Sequence, residues 1–482
     1  MTVTSRTGAT TSASRRMLTR LTMALTAAAL AACAPAPKGV TDSSAPARAV
    51  VDRGMHPVWS RQAVIYEVNI RQYTPEGTFA AFQTHLERIR AMGVDVLWFM
   101  PIQPIGQRNR KGTLGSYYSI RDYTAINPEF GTEADFKALV DAAHVLGFKV
   151  ILDWVANHTA FDHAWTTSHR DWYTTKPDGS ISRAIGDDGK ETDWSDVADL
   201  NYADTAMRQA MIGEMRWWLD TMNLDGFRCD MAGLVPNDFW AEVRTALDPV
   251  KKDLFFLAEW EDPALHRSFD ATYSWKLFHL MNDIASGKKP VVTLDTLLAK
   301  QDAMFAPSDF RLTFTSNHDE NSWSGSEFER MGANHRPAYL VSALLARSIP
   351  LLYSGQEASF ARRLQFFEKD SIDWSGPSLA SFYGTLFSLR REYEVLWSGS
   401  WGAPLVRLAT DHRETVFAFS RSRGTQSVVV FANFGNVPVS VTYSDFAAPG
   451  EYRDWYGRAT ATLGASGSVT IQANDVKVFA KQ

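Results

Sequence analysis

From Ala63 onward the chain alternates between two hydrophobic rhythms. Short runs that are apolar at almost every position recur: AVIYEV at Ala63, VDVLWFM at Val94, KVILD at Lys149, GFRCD at Gly226, LFFLAE at Leu254, RLTFTS at Arg311 and PLLYSG at Pro350. Strands covered on both faces read this way, because neither face turns polar side chains to water. FDATYSW at Phe269 is a weaker member of the series, between LFFLAE and RLTFTS. The stretches between the runs follow helical spacing. Met207, Met211, Met215, Trp218 and Met222, for example, fall on one helix face just before GFRCD. Eight strands alternating with helices predict an α/β chain folded as a (β/α)8 TIM barrel, with an open doubly wound sheet as the alternative.

Two stretches break the rhythm. The connection from Thr159 to Tyr202 has no clear helical period and is too long for a plain loop, which inside a compact domain points to function. After about Leu396 the runs alternate apolar and polar residues between turn signals (ETVFAFS, SVVVFANFG, VSVTY, VKVFA), which predicts a small antiparallel β-domain. The chain therefore divides into a barrel over 56–396, with 159–202 inserted after its third strand, and a C-terminal β-sandwich over 397–482.

Residues 1–33 read as an address rather than as fold. Arg6, Arg15, Arg16 and Arg20 precede an apolar run, Leu21 to Ala32, that is too short to span a bilayer and predicts a signal peptide. The run ends in Leu30-Ala31-Ala32-Cys33, which resembles a bacterial lipobox. Lipidation at Cys33 is expected, with the protein exported and membrane-anchored as a lipoprotein, periplasmic or on the cell surface. A plain secretory signal is the alternative, and Arg15-Arg16 also resembles a twin-arginine signal. Residues 34–55, rich in Ala, Pro and Ser, read as a flexible tether. Losing the four arginines takes the formal charge from −5 to −9. An acidic surface argues against nucleic acid as partner, because such binding rests on phosphate neutralisation. Cys229 would be the only thiol besides Cys33, so no internal disulfide is available.

The chemistry gathers at the ends of the runs. KVILD ends in Asp153 and leads to Asn157-His158; GFRCD holds Arg228 and ends in Asp230; LFFLAE ends in Glu259; RLTFTS leads to Asn317-His318-Asp319. In a barrel the C-terminal strand ends open onto one face, so these groups would converge there. One aspartate at a strand end reads equally well as a cap. Four such motifs in order on four strands do not.

In this order the residues resemble the signature regions of the α-amylase superfamily, glycoside hydrolase family 13, over nearly the whole chain beyond residue 55. The insertion resembles the family's domain B and the terminal β-module its domain C. The resemblance implies a retaining glycoside hydrolase acting on α-glucans: starch, glycogen or maltodextrins. It implies Asp230 as nucleophile, Glu259 as general acid/base and Asp319 as the carboxylate that grips the sugar hydroxyls. Arg228 would keep Asp230 ionised and aimed, His158 and His318 would bond sugar hydroxyls, and Asp153 would support the site. Tyr118, in YSIRDYTAINPEFGT, matches the tyrosine that stacks under the sugar at the cleaved bond. Glu259 is expected to hold its proton near neutral pH. Leu257, Ala258 and Trp260 solvate it poorly, and Asp230 and Asp319 add negative charge.

The departures from the family pattern matter too. Many amylases carry Lys-His three and four residues beyond the nucleophile, serving a leaving-group subsite and calcium. Here those places hold Gly233 and Leu234. Asn157 matches the family's calcium-ligating asparagine and Asp199 lies suitably late in the insertion, but calcium takes about six to eight oxygens and no full set is evident. No cofactor is expected for the chemistry, and a structural calcium remains open. The basic stretch Gln107–Lys111 reads as a solvated rim, Cys229 as a core thiol, and Gln356-Glu357 as a structural bond network. Hydrolysis is favoured over glucanotransferase or maltosyltransferase action on the same residues. A non-catalytic carbohydrate-binding homologue is disfavoured, because all three carboxylates are retained. A monomer is expected, contacting a membrane only through its lipid.

Overall fold

The computed structural model describes residues 56–481, so the expectations for the signal, Cys33 and the tether lie outside the described residues. Eight strands form a closed parallel barrel: β1 (Ile65–Val68), β2 (Val96–Phe99), β3 (Lys149–Val155), β4 (Gly226–Asp230), β5 (Phe255–Ala258), β6 (Ala271–Tyr273), β7 (Phe310–Thr313) and β8 (Ser348–Tyr353). The weak run FDATYSW is β6. Closure comes through β1 and β8, with Ile65 opposite Leu351.

Strand alternation sorts the side chains into two cores. Ile65, Val96, Trp98, Ile151, Leu257 and Leu351 belong to the cluster that fills the barrel. Their neighbours Leu97, Phe99, Val150, Leu152 and Phe256 face the helical layer. Burying each such side chain contributes about 1.5–3 kcal/mol, which explains why both faces of the runs are apolar. Helix Thr205–Met222 supplies part of the outer layer, with Met207, Met211, Met215, Trp218 and Met222 all buried. The Asp204 carboxylate caps it by accepting from the Ala206 and Met207 amides.

The segment without helical period is a small β layer. His158–Ala160 pairs antiparallel with Val197–Asp199, and single bridges join Thr175 to Ile181 and Ile185 to Glu191. The C-terminal module has a six-stranded antiparallel sheet and a three-stranded one. Val416, Val429, Phe431 and Phe479 from the first share a core with Val441, Val469 and Ile471 from the second, which makes it a sandwich. Buried Arg421 fastens this module to the barrel, donating to the carbonyls of Leu344 and Leu345 before β8 and of Leu396 and Trp397 in the connection.

Candidate active site

The C-terminal strand ends open onto a cavity of about 410 Å³ lined by Tyr118, His158, Asp230, Met231, Glu259 and Asp319, with Trp194 and Val197 of the insertion on one wall and Trp323 and Phe366 on another. Each carboxylate stands where its strand leaves the apolar core. β4 starts at Gly226, where the chain passes so close to β5 that a Cβ would sit 1.8 Å from the Phe255 carbonyl oxygen. That tight pairing brings Asp230 and Glu259 together on neighbouring strands. Met231, next to Asp230, is held in the left-handed region (φ 43°). This backbone conformation is unfavourable for a methionine, but it aims the Met231 amide at Glu259 Oε2, 2.9 Å away.

Arg228 lies at the centre with no exposed surface. Its Nη1 donates to Asp153 Oδ1 (2.7 Å) and Asp230 Oδ1 (3.0 Å), and its Nη2 stands 2.8 Å from Glu259 Oε1. Asp153 is also fully buried. Its second oxygen accepts from the Tyr118 hydroxyl (3.0 Å) and from Trp98 Nε1 (3.2 Å). Asp153 and Arg228 therefore lie beneath the cavity rather than on its surface, and act by holding Tyr118 and the two acids. Burial lifts Asp153 to about 6 against the pull of Arg228.

His318 also lies beneath the surface. Its Nδ1 bonds Glu67 of β1, and its Nε2 faces the Tyr118 hydroxyl (2.8 Å) and Asp319 Oδ2 (3.4 Å). Burial alone would lower this histidine, but the charges of Asp319 and Glu67 outweigh it and hold it well above its ordinary value. The imidazolium thus donates from both nitrogens, and the Tyr118 hydroxyl passes the chain on to Asp153. Burial would raise Asp319, yet the His318 charge and hydrogen bond bring it below the usual carboxylate range. Trp323 Nε1 holds the other Asp319 oxygen at 3.2 Å. His158 differs from His318. It lines the cavity, and burial lowers it to about 4. Its Nδ1 faces the Asn157 amide at 3.2 Å.

Three expectations need correction. Asp230 is not kept ionised by Arg228 alone. Burial and the Glu259 charge raise Asp230 well above the carboxylate range, and Arg228 does not offset them. Second, the rim stretch Gln107–Lys111 is not merely solvated, since Lys111 lines the cavity and pairs with Asp196 at 3.5 Å. Third, His318 meets the site from beneath, between its two acids. Asn157 and Asp199, the two candidate calcium ligands, stand beside protein partners. Asp199 Oδ1 accepts from the Ile185 amide (3.0 Å), the Asn157 amide turns to His158 Nδ1 (3.2 Å), and among the described residues no three His, Cys, Asp or Glu side chains stand close enough to hold a metal ion.

Sequence reasoning missed Glu67, Trp98, Trp323 and Phe366. Glu67 sits inside an apolar run and looks like a tolerated outlier, although a carboxylate in a fully buried strand is itself a signal that a cation must face it. Cys229 behaves as expected, packing into the outer core with burial raising its thiol. Gln356 and Glu357 are the expected bond network. Gln356 Nε2 donates to Thr315 Oγ1 (3.0 Å), and Glu357 accepts from Arg88 (3.1 Å).

Residues 62–375 match the family model described as the α-amylase catalytic domain. Among curated proteins, the chain is 28% identical to α-amylase MalA of Haloarcula japonica over 88% of its own length and 62% of that protein's. It is 34% identical to an α-1,4-glucan:maltose-1-phosphate maltosyltransferase of Rhodospirillum rubrum over 47% of its length and 34% of that protein's. The chain thus spans less than two thirds of either relative. A solved α-amylase structure from Lactobacillus plantarum is 30% identical, with 88% of this chain and 99% of that one covered and a TM-score of 0.78.

Proposed function

The chain belongs to the α-amylase family, and from that membership we propose that it hydrolyses α-1,4-glucosidic bonds in starch, glycogen or maltodextrins with retention of configuration. The observation that carries this reading is the shared guanidinium: Asp230 and Glu259 each stand within 3.0 Å of Arg228. Two acids on one small cation favour the shorter carboxyl spacing of retaining enzymes, about 5–5.5 Å, over the wider inverting one.

Asp230 attacks the anomeric carbon as the glycosidic bond breaks, and Glu259 gives its proton to the departing oxygen. Positive charge developing at the anomeric carbon stabilises the ionised form of Asp230, the form that attacks. Glu259, now a base, takes a proton from water, which attacks the anomeric carbon and releases Asp230. Asp319, kept anionic by His318, bonds the sugar hydroxyls, and the Tyr118 ring stacks beneath the same sugar.

The test uses two variants and two leaving groups. Asp230→Asn should lower turnover by about four orders of magnitude on every substrate. Glu259→Gln should do similar damage with maltoheptaose but far less with α-glucosyl fluoride, whose leaving group needs no proton. Proton NMR should show the α anomer first. An initial β anomer would mean the acids act across a water molecule, and the role given to Asp230 would be wrong.

Transfer to a sugar acceptor is a second reading favoured by one feature. Where many family members carry Lys-His, Gly233 lies against the Trp260 ring so closely that a Cβ would meet it at 2.3 Å. An indole beside the leaving-group side offers a second sugar a stacking face that could rival water. Products longer than the starting maltoheptaose would establish transfer. For location, the lipobox-like Cys33 supports an exported, lipid-anchored protein. Cys33→Ser should abolish lipid labelling in a bacterial host, and equal membrane association of both forms would sink that reading.

A further inference from the structure

We infer that the cleft is walled off at its glycone end, so that the protein works from free non-reducing ends and releases short glycones of about one or two glucose units. The inference rests on the α-glucan reading above and deepens it.

The direction of the substrate follows from the chemistry. Glu259 serves the leaving oxygen, so the departing chain lies on the β5 side. The glycone therefore extends the other way, toward Asp319 after β7 and Tyr118 in the loop after β2. On that side contacts link four segments. Lys111 Nζ donates to the Asp193 carbonyl (3.3 Å) and pairs with Asp196 Oδ1 (3.5 Å), which ties the β2 loop to the insertion. The Leu114 amide donates to the Phe367 carbonyl (3.0 Å) and the Thr113 amide to Glu368 Oε1 (2.8 Å), which ties the same loop to the segment after β8. The Phe366 and Phe367 rings lie 5.3 and 5.7 Å from Trp323, whose indole N–H bonds Asp319. The contacts thus run from the insertion to the carboxylate that grips the sugar.

The wall is braced. Gly112 is left-handed (φ 60°) and lies so close to Phe367 that a Cβ would come within 2.5 Å of that side chain's own Cβ. Arg110 turns back onto its own loop, bonding the Gly106 carbonyl at 2.9 Å, and buried Arg71 holds the Gly115 carbonyl at 3.1 Å. The floor leading to the wall is short: Tyr118, then Phe366, nearly parallel at 14° with centroids 6.3 Å apart. The whole cavity, about 410 Å³, falls near the small end of the ~300–1,000 Å³ range of ligand pockets. An internal stretch of a long glucan has to pass both ways out of such a site, and this wall stops it on one side.

The probe is p-nitrophenyl α-maltoheptaoside, offered with its non-reducing end free or closed by a 4,6-O-ethylidene cap, with chain shortening followed by chromatography. The free form should be shortened stepwise, and the capped form at least about a hundredfold more slowly, because the cap meets the wall. Glu368→Ala removes the acceptor that ties the β2 loop to the segment after β8 and should speed the capped form about tenfold while leaving the free form within about threefold. Cleavage of both forms at similar rates by the wild-type protein would overturn the inference and leave the α-glucan reading standing. Failure to shorten either form would overturn both. An unchanged capped rate in a folded Glu368→Ala protein would overturn the inference that this clasp closes the glycone end.

Discussion

The two flanks of the cavity mouth carry the same kinds of group in different balance. On the β4–β5 flank three carboxylates, Asp153, Asp230 and Glu259, surround one guanidinium. On the β7–β1 flank two carboxylates, Glu67 and Asp319, surround one imidazole. Arginine cannot release its proton, so the first flank relieves its excess negative charge by holding a proton on a carboxyl, and Asp230 is raised. Histidine can take a proton up, so the second flank charges its cation and leaves Asp319 as an anion. One flank therefore holds a proton on a carboxyl while the other presents a fixed negative charge.

Replacing the permanent cation should break the comparison most severely. In Arg228→Lys one ammonium cannot serve three carboxylates in a fully buried site. Turnover should fall by about two to three orders of magnitude. Unpaired buried charge should also cost about 3–5 kcal/mol of stability, read as a lower melting temperature. An Arg228→Lys protein within tenfold of wild-type activity would show that the shared guanidinium does not organise the flank.

Glu67→Gln tests the titratable flank. Glutamine keeps an acceptor for His318 Nδ1 and removes only the charge. With both acids present, the raised His318 contributes stability that is fully present below about pH 6.5 and is lost as pH rises through its elevated folded value. Removing the Glu67 charge brings that folded value down, so the imidazolium and its hold on Asp319 fade at lower pH. The kcat/KM of the variant should lie close to wild type at pH 5.5 and about tenfold below it at pH 8. A loss of the same size at every pH would mean that Glu67 acts through packing alone.

How far this asymmetry was legible beforehand depended on what each residue announces locally. Asp153, Arg228, Asp230, Glu259 and Asp319 stand where apolar runs end, and strand periodicity places run ends on one face of a barrel. Even β6, the weakest run, was readable because its neighbours required a strand between them. Glu67 was not, since its partner His318 lies 251 positions away and nothing local marks the pairing. Lys111 was misread for the same reason, as a basic loop looks solvated until Asp196 of the insertion is brought beside it. The insertion itself hid its order because single bridges and three-residue strands are too short to leave a period. The raised Asp230 was the subtlest, because the burial that lifts it is a property of the closed barrel.

Trp323 offers a gentler test of the second flank. The ring is 55% exposed at the mouth while its N–H holds Asp319. Trp323→Ala removes a stacking face of roughly 0.5–1.5 kcal/mol, which should raise KM about three- to tenfold and leave kcat within about twofold. Trp323→Phe should restore most of the KM. A fall in kcat with unchanged KM would mean that the indole acts through the Asp319 hydrogen bond and not as a sugar platform.

The smallest expected effect belongs to the residue between the two central groups of the first flank. Cys229 alternates with Arg228 and Asp230 along β4, so its side chain turns to the outer core while theirs face the mouth. It has no exposed surface, and burial raises its thiol well above the ordinary value. A thiol held protonated and away from water is a packing group. Cys229→Ala should therefore cost about 1 kcal/mol of stability and leave kcat within about twofold. A thiol reagent should modify Cys229 of the wild-type protein only after unfolding. If this substitution instead reduced kcat as Arg228→Lys does, with the fold intact, the electrostatics of the mouth would not be confined to the inner face of β4. The contrast drawn between the two flanks would then have to include the helical layer behind them.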